Sequence, residues 1–253
     1  MTEQEYSSER NLKLIVAYEG TRYAGFQRQR NGLLTIQGVL ETELSNLTGE
    51  TIRIVGAGRT DSGVHARGQV VNFHTQSRLA PSQFLKALNH LLPPDILIRE
   101  MGEAVSAFHA CHSARSKTYS YRIYNSELRP VFGRNLMYHY RYPLQLEPMQ
   151  AAADLLVGEH DYRSFQAAGS SAQTTVRTVL FCRLVRQDLE LRMEINANGF
   201  LYHMVRNIIG SLILVGNGRW SPEDFARVLA AKDRTLAGAT APACGLCLEE
   251  VIY

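Results

Sequence analysis

Apolar residues along this chain keep one of two rhythms, and the changes between them mark its elements. Leu12 to Tyr18 reads as a strand, and the following Gly20-Thr21-Arg22-Tyr23-Ala24-Gly25-Phe26-Gln27 as a loop with two aromatics and two glycines. After Thr35, a cap residue, Ile36, Val39, Leu40, Leu44 and Leu47 recur at helical spacing. Strands are expected at 51–55 and 69–74, then a helix opened by Pro81 and ended by Pro93-Pro94, then a strand over 96–103. The remainder reads as strand 115–124, helix 148–157, strands 176–186 and 189–197, helices 203–215 and 222–231, and a last strand 246–253.

Both halves therefore spell the order βαββαβ, with an extra helix in the second. The expected fold class is α+β: two tandem RNA-recognition or ferredoxin-like units, with mainly antiparallel sheets flanking a central active-site cleft. The expected domains are 1–105 and 106–253, with the crossing near Ala104 to Ser113. In the second half the middle strands meet tightly around Gln187-Asp188, whereas the first half inserts a long glycine-rich loop at the matching place.

That loop is Gly56-Ala57-Gly58-Arg59-Thr60-Asp61-Ser62-Gly63-Val64-His65-Ala66-Arg67-Gly68. Glycine supplies backbone angles that other residues resist, so a loop this rich in it is shaped for close approach. Asp61 stands two residues from Arg59, a cation that would hold its carboxylate ionised. A dinucleotide fingerprint lacks its third glycine, and a phosphate loop lacks Lys-Ser/Thr, because Val64-His65 occupies that place. The plain alternative is a hairpin loop whose Asp61 only caps a turn.

Composition is that of an ordinary globular protein, 45% hydrophobic and 20% charged, with a net charge of +3. No apolar run reaches membrane-spanning length and residues 1–10 are polar, so a cytoplasmic protein without a membrane partner is expected. Arginine outnumbers lysine 23 to 4. A planar cation that grips phosphate and stacks on bases suits RNA, although GC-rich codon usage produces the same bias. Cys111, Cys182, Cys244 and Cys247 are most simply reduced thiols. A zinc site joining Cys244-x-x-Cys247 to His109-x-Cys111-His112 would resemble the deaminases, but their His-x-Glu is absent and Pro242 comes one residue too early. No metal is expected.

Two further segments could line the cleft. Along strand 115–124, Arg115, Lys117, Tyr119 and Tyr121 share one face, forming either a base-stacking platform or an exposed edge with packed tyrosines. His203 and Arg206 lie three apart at the start of a strongly apolar helix. A charge there needs a partner such as Asp61, whether for catalysis or in a purely structural salt bridge.

Together these pieces resemble the tRNA pseudouridine synthase A family. The matching stretches are Tyr23-x-Gly25-Phe26-Gln27, Thr35-Ile36-Gln37-Gly38, Gly58 to Ala66, Lys117 to Arg122, Ser164-Phe165, Asn198 to Gly210, Ala230 to Arg234, and Gly245-Leu246. The resemblance implies isomerisation of uridine to pseudouridine at positions 38, 39 and 40 of the tRNA anticodon stem-loop, with no cofactor, by a homodimer. It implies Asp61 as catalytic residue, Arg59 and Arg206 as ionic and substrate-positioning partners, Tyr119 stacked on the base and Leu246 as pocket wall; His203 is a further substrate-binding candidate. Cys111-His112 departs from the Arg-Phe usual in relatives. The rival expectation is a non-catalytic RNA-binding protein, against which an acid in the most elaborately shaped loop counts.

Overall fold

The computed structural model describes residues 9–29, 32–169 and 172–253; residues 1–8, most of the polar start noted above, lie outside them. The chain forms two compact units, Met1–Ala114 together with Tyr253, and Arg115–Ile252. Each mixes helices with a mostly antiparallel open sheet, and among the described residues no helix is long and apolar enough to cross a membrane.

The first unit runs β1 (Arg10–Tyr18), α1 (Ile36–Thr48), β2 (Ile54–Gly56), β3 (His65–Thr75), α2 (Pro81–Leu91) and β4 (Ile96–Ala104). Its strands lie in the order β4-β1-β3, with β2 paired to β3, all antiparallel. The sequence expectation placed β3 too late, because His65-Ala66-Arg67-Gly68 reads as loop yet pairs with β1 through Ala66 opposite Tyr18. Cross-strand bonding overrides the low strand propensity of glycine there. Thr35 caps α1 by accepting the Gly38 N–H, and Gly49 ends it in the left-handed conformation at φ 75°. Leu12, Leu14 and Val16 alternate onto one face of β1 and are fully buried, in a core with Leu40, Leu44, Phe84 and Leu88. Phe73 meets Phe84 edge-on at 6.0 Å.

The opposite face of β1 carries Asn11 and Lys13. Asn11 donates to the carbonyls of Val105 and Phe108 and accepts from the buried Asn72, which in turn accepts the Ala110 N–H. The Lys13 ammonium sits 4.5 Å from the Tyr253 ring. Residues 105–113 are thereby bound to the first unit.

The second unit contains β5 (Ser116–Asn125), β6 (Tyr138–Tyr140), α3 (Leu146–Asp154), β7 (Gly158–Asp161), β8 (Val176–Gln187), β9 (Glu190–Ala197), α4 (Met204–Gly216), α5 (Pro222–Ala231) and β10 (Leu246–Ile252). Its strands lie in the order β10-β5-β9-β8-β7, and β6 adds in parallel to β5. The short strands β6 and β7 escape sequence reading because three or four residues are too few to show a period. Asp188 at φ 51° makes the tight turn between β8 and β9. Strand β5 lies between β10 and β9 and is not an exposed edge. Its polar face is paired within the sheet, through Arg122 on Glu190 and Asn196 on Thr118.

Helix α4 is packed closely enough to demand glycine. A Cβ on Gly210 would stand 1.7 Å from the Ala239 carbonyl oxygen, and one on Gly20 in the first unit 1.9 Å from that of Val64. Both obstructions are backbone. Gly20→Ala and Gly210→Ala are each expected to lower unfolding stability by about 1–3 kcal/mol or more, whereas Gly102→Ala, whose Cβ meets nothing within 4 Å, stays near wild type. Chemical denaturation of the three variants checks this.

Candidate active site

In the first unit Asp61 lies half-buried on the segment joining β2 to β3. That segment is anchored on both sides of it. Upstream, the Val70 carbonyl takes the Ala57 N–H at 2.8 Å, and Gln69 Nε2 donates to the Gly58 carbonyl at 2.8 Å. The Thr60 carbonyl accepts the Phe26 N–H at 3.0 Å, while its hydroxyl bonds the Tyr18 phenol at 2.8 Å. Downstream, Ser62 Oγ donates to the Tyr23 carbonyl at 3.1 Å, and the Val64 N–H closes a turn onto the Asp61 carbonyl at 3.1 Å. Gly63 holds φ 78° in that turn, a conformation open to glycine at little cost.

The loop 18–26 is therefore the mould for the carboxylate. Its glycines admit the contact: a Cβ on Gly25, at φ 94°, would stand 2.8 Å from the Thr60 carbonyl oxygen. His65 belongs to the same scaffold. Its Nδ1 accepts the Gly20 N–H at 3.0 Å, so that nitrogen carries no proton, and the ring is buried. Arg59, two residues before Asp61, is exposed.

In the second unit Tyr119 sits on β5, opposite Leu248 of β10 and Ile195 of β9, and is buried. Phe200 meets its ring edge-on at 5.0 Å. Phe200 belongs to the Asn198 to Gly210 stretch, yet nothing in the sequence pairs it with Tyr119. Two residues along the same face, Tyr121 is fully buried and lies opposite Leu246, the first residue of β10. Burial pushes the Tyr121 phenol well above its ordinary pKa, so it stays a protonated donor and gives its hydrogen to the Pro242 carbonyl at 2.7 Å.

Helix α4 begins at Met204, so His203 does not occupy a helical position three before Arg206. His203 caps the helix in the left-handed region at φ 59°, with its ring 4.0 Å from that of Tyr202. Arg206 is half-buried and its Nε donates to the Ala241 carbonyl at 2.8 Å, while the Ala241 N–H returns to the Arg206 carbonyl. The positive charge of Arg206 also acts on Tyr121 and Cys244, opposing the upward shift that burial gives each. Residues 241–246 thus tie Arg206, Tyr121 and Leu246 together.

The strap that carries those residues is clamped from below. Asn207, fully buried, donates to the Phe165 carbonyl at 2.7 Å and accepts from Thr240 Oγ1 at 2.6 Å and from Arg234 at 3.0 Å. Ser164 Oγ takes the Asp233 N–H and donates to the Val228 carbonyl. The sequence singled out Ser164-Phe165 and Ala230 to Arg234 only by resemblance; the structure gives them this supporting work.

None of the four cysteines forms a disulfide. Burial pushes Cys182 up to about 12 and raises Cys244, so neither is an activated nucleophile. His109 Nδ1 accepts the backbone N–H groups of Cys111 and His112. Among the described residues no three His, Cys, Asp or Glu side chains gather to hold a metal ion.

A family model described as tRNA pseudouridine synthase matches residues 14–113 and 152–253. Among curated proteins, the tRNA pseudouridine synthase A of Acetivibrio thermocellus is 45% identical over 96% of this chain and all of its own length. That of Caldicellulosiruptor saccharolyticus is 44% identical over the same shares. The protein of the same name in Halalkalibacterium halodurans is 47% identical over 94% of this chain and 90% of its own. The matched stretches include the anchored Asp61 turn, Arg206 with its strap, and Leu246, and on this footing the chain belongs to the tRNA pseudouridine synthase family.

Proposed function

We propose that this protein isomerises uridine to pseudouridine at positions 38, 39 and 40 of the tRNA anticodon stem-loop, with Asp61 as the catalytic residue. The observation that carries the reading is a half-buried carboxylate on a turn bonded through its backbone on either side, within a family match spanning most of the chain. We read the two units as copies of one βαββαβ plan. The shared strand order supports it once the short β6 and β7 are set aside: β4-β1-β3-β2 in one and β10-β5-β9-β8 in the other are each fourth, first, third and second of the four remaining strands.

The reaction breaks the N1 to C1′ bond, turns the uracil and joins C5 to C1′, with loss of the C5 proton. Nothing is oxidised and no water is consumed, so no cofactor is required. A carboxylate stabilises or traps a sugar that is losing its base; Asp61 can do this, add to the base, or remove a sugar proton. The target leaves its stack to be reached, at a cost of a few kcal/mol. In this reading Tyr119, braced by Phe200, stacks on the base and takes part in removing the C5 proton. Arg206, oriented by the Ala241 carbonyl, and the exposed Arg59 hold anionic groups of the substrate. His203 contacts the nucleotide and Leu246 walls the pocket. The protein works in the cytoplasm as a homodimer, without metal or membrane.

Tritium release from C5-labelled uridine in unmodified tRNA tests the assignment. Asp61→Asn is expected to bind tRNA as wild type does and to lose turnover by about a thousandfold or more, while wild-type release persists in EDTA. A non-catalytic binder would keep its affinity in Asp61→Asn and release no tritium in either form. Tyr119→Phe is expected to keep tRNA affinity and lose turnover; unchanged turnover would remove Tyr119 from the proton transfer.

A further inference from the structure

The turn that carries Asp61 leans on a side chain far from it in sequence. Downstream of Asp61, the next two residues both bond the Tyr23 carbonyl, Ser62 Oγ at 3.1 Å and the Gly63 N–H at 3.4 Å. Where Tyr23 sits therefore decides where that side of the turn sits. The Tyr23 N–H donates to the Gly20 carbonyl at 3.0 Å, and its ring is buried. At the far end of the ring the phenol donates to Asp95 Oδ1 at 2.6 Å.

Asp95 is mounted for this. It stands between α2 and β4, directly after Pro93-Pro94, where the Ile96 N–H closes a turn onto the Pro93 carbonyl at 3.0 Å. Its main-chain carbonyl accepts the Glu19 N–H at 2.9 Å and so fixes the start of the same loop. Its other carboxylate oxygen lies 3.5 Å from Arg22 Nη1, a long pair with an exposed partner that adds little. Burial, and after it the bond to Asp95, push the Tyr23 phenol above its ordinary pKa, so the proton stays on the phenol. A buried hydroxyl needs an acceptor, and a flexible one would satisfy it. The acceptor here follows two prolines, so the ring is stopped along its length.

We infer that Asp95, acting through the Tyr23 phenol, is a positioning residue for the Asp61 carboxylate. The inference rests on the reading of Asp61 as catalytic and adds a support that reaches it through the loop 18–26. The upstream anchors at Ala57, Gly58 and Thr60 involve neither Tyr23 nor Asp95. Loss of the phenol bond therefore leaves the segment folded and lets its downstream half shift. A small displacement of a reacting group costs rate rather than binding.

Steady-state tritium release from C5-labelled tRNA, with amide hydrogen exchange on the same proteins, tests the link. Tyr23→Phe keeps the ring and removes the donor; Asp95→Ala removes the acceptor. Each is expected to lower kcat about tenfold or more with KM unchanged, and to speed exchange at Gly63 and Val64 but not at Ala57. Asp95→Asn keeps an acceptor for the phenol and is expected to restore most of the rate. Tyr23→Phe combined with Asp95→Ala is expected to lose no more than the worse single variant, because the two side chains act as one unit. Wild-type kcat in Tyr23→Phe, losses that multiply in the double variant, or lost turnover with Gly63 and Val64 exchange unchanged would each overturn the inference. Should Asp95→Ala fail to fold, Tyr23→Phe and Asp95→Asn decide the matter. A wild type that releases no tritium fails the isomerase reading instead, and exchange at Gly63 then decides by itself whether Asp95 holds the turn.

Discussion

A loop can aim a carboxylate only when its own backbone has nowhere else to go, and that constraint governs the first unit. Hydrogen bonds fasten residues 57–64 to β3 and to the loop 18–26, and at two points the main chains lie closer than a side chain would permit. Gly20 and Gly25 allow that approach. The glycines that make the loop look flexible in sequence make it fixed in space. In the proposed reaction rigid placement would serve catalysis, because a carboxylate already held in position loses little further freedom when the substrate arrives.

The second unit solves a similar problem with a strap. Arg206 takes its orientation from the carbonyl of Ala241, Tyr121 from that of Pro242, and Leu246 from its place opposite Tyr121. All three depend on residues 234–241 lying against α4, which the buried Asn207 amide and the bare face of Gly210 arrange. A long charged side chain at the start of an apolar helix is thereby given one direction. The 126–142 loop has the opposite character: its base is bonded and Phe132 at its tip is exposed.

Much of this was legible before any coordinates. Period and punctuation located nearly every long element, with Thr35, Pro81 and Pro222 marking helix starts where caps or first turns are found. The density of glycine around Asp61 marked the loop. Other features were hidden because they arise from contacts far apart in sequence. Tyr119 against Phe200 spans most of the second unit, and the bond from Tyr18 to Thr60 joins a strand to a loop.

By itself the sequence determined the order of the main elements and the family, because caps, periods and a dense signature are local properties of the chain. Only the tertiary structure decided that His65 is a scaffold acceptor, that His203 stands in a left-handed cap outside its helix, and that Arg206 is steered by a carbonyl 35 residues away in sequence. Those outcomes depend on which backbone groups find partners when the core closes. Burial makes each such group take whatever donor or acceptor the packing brings, and packing is a property of the whole unit.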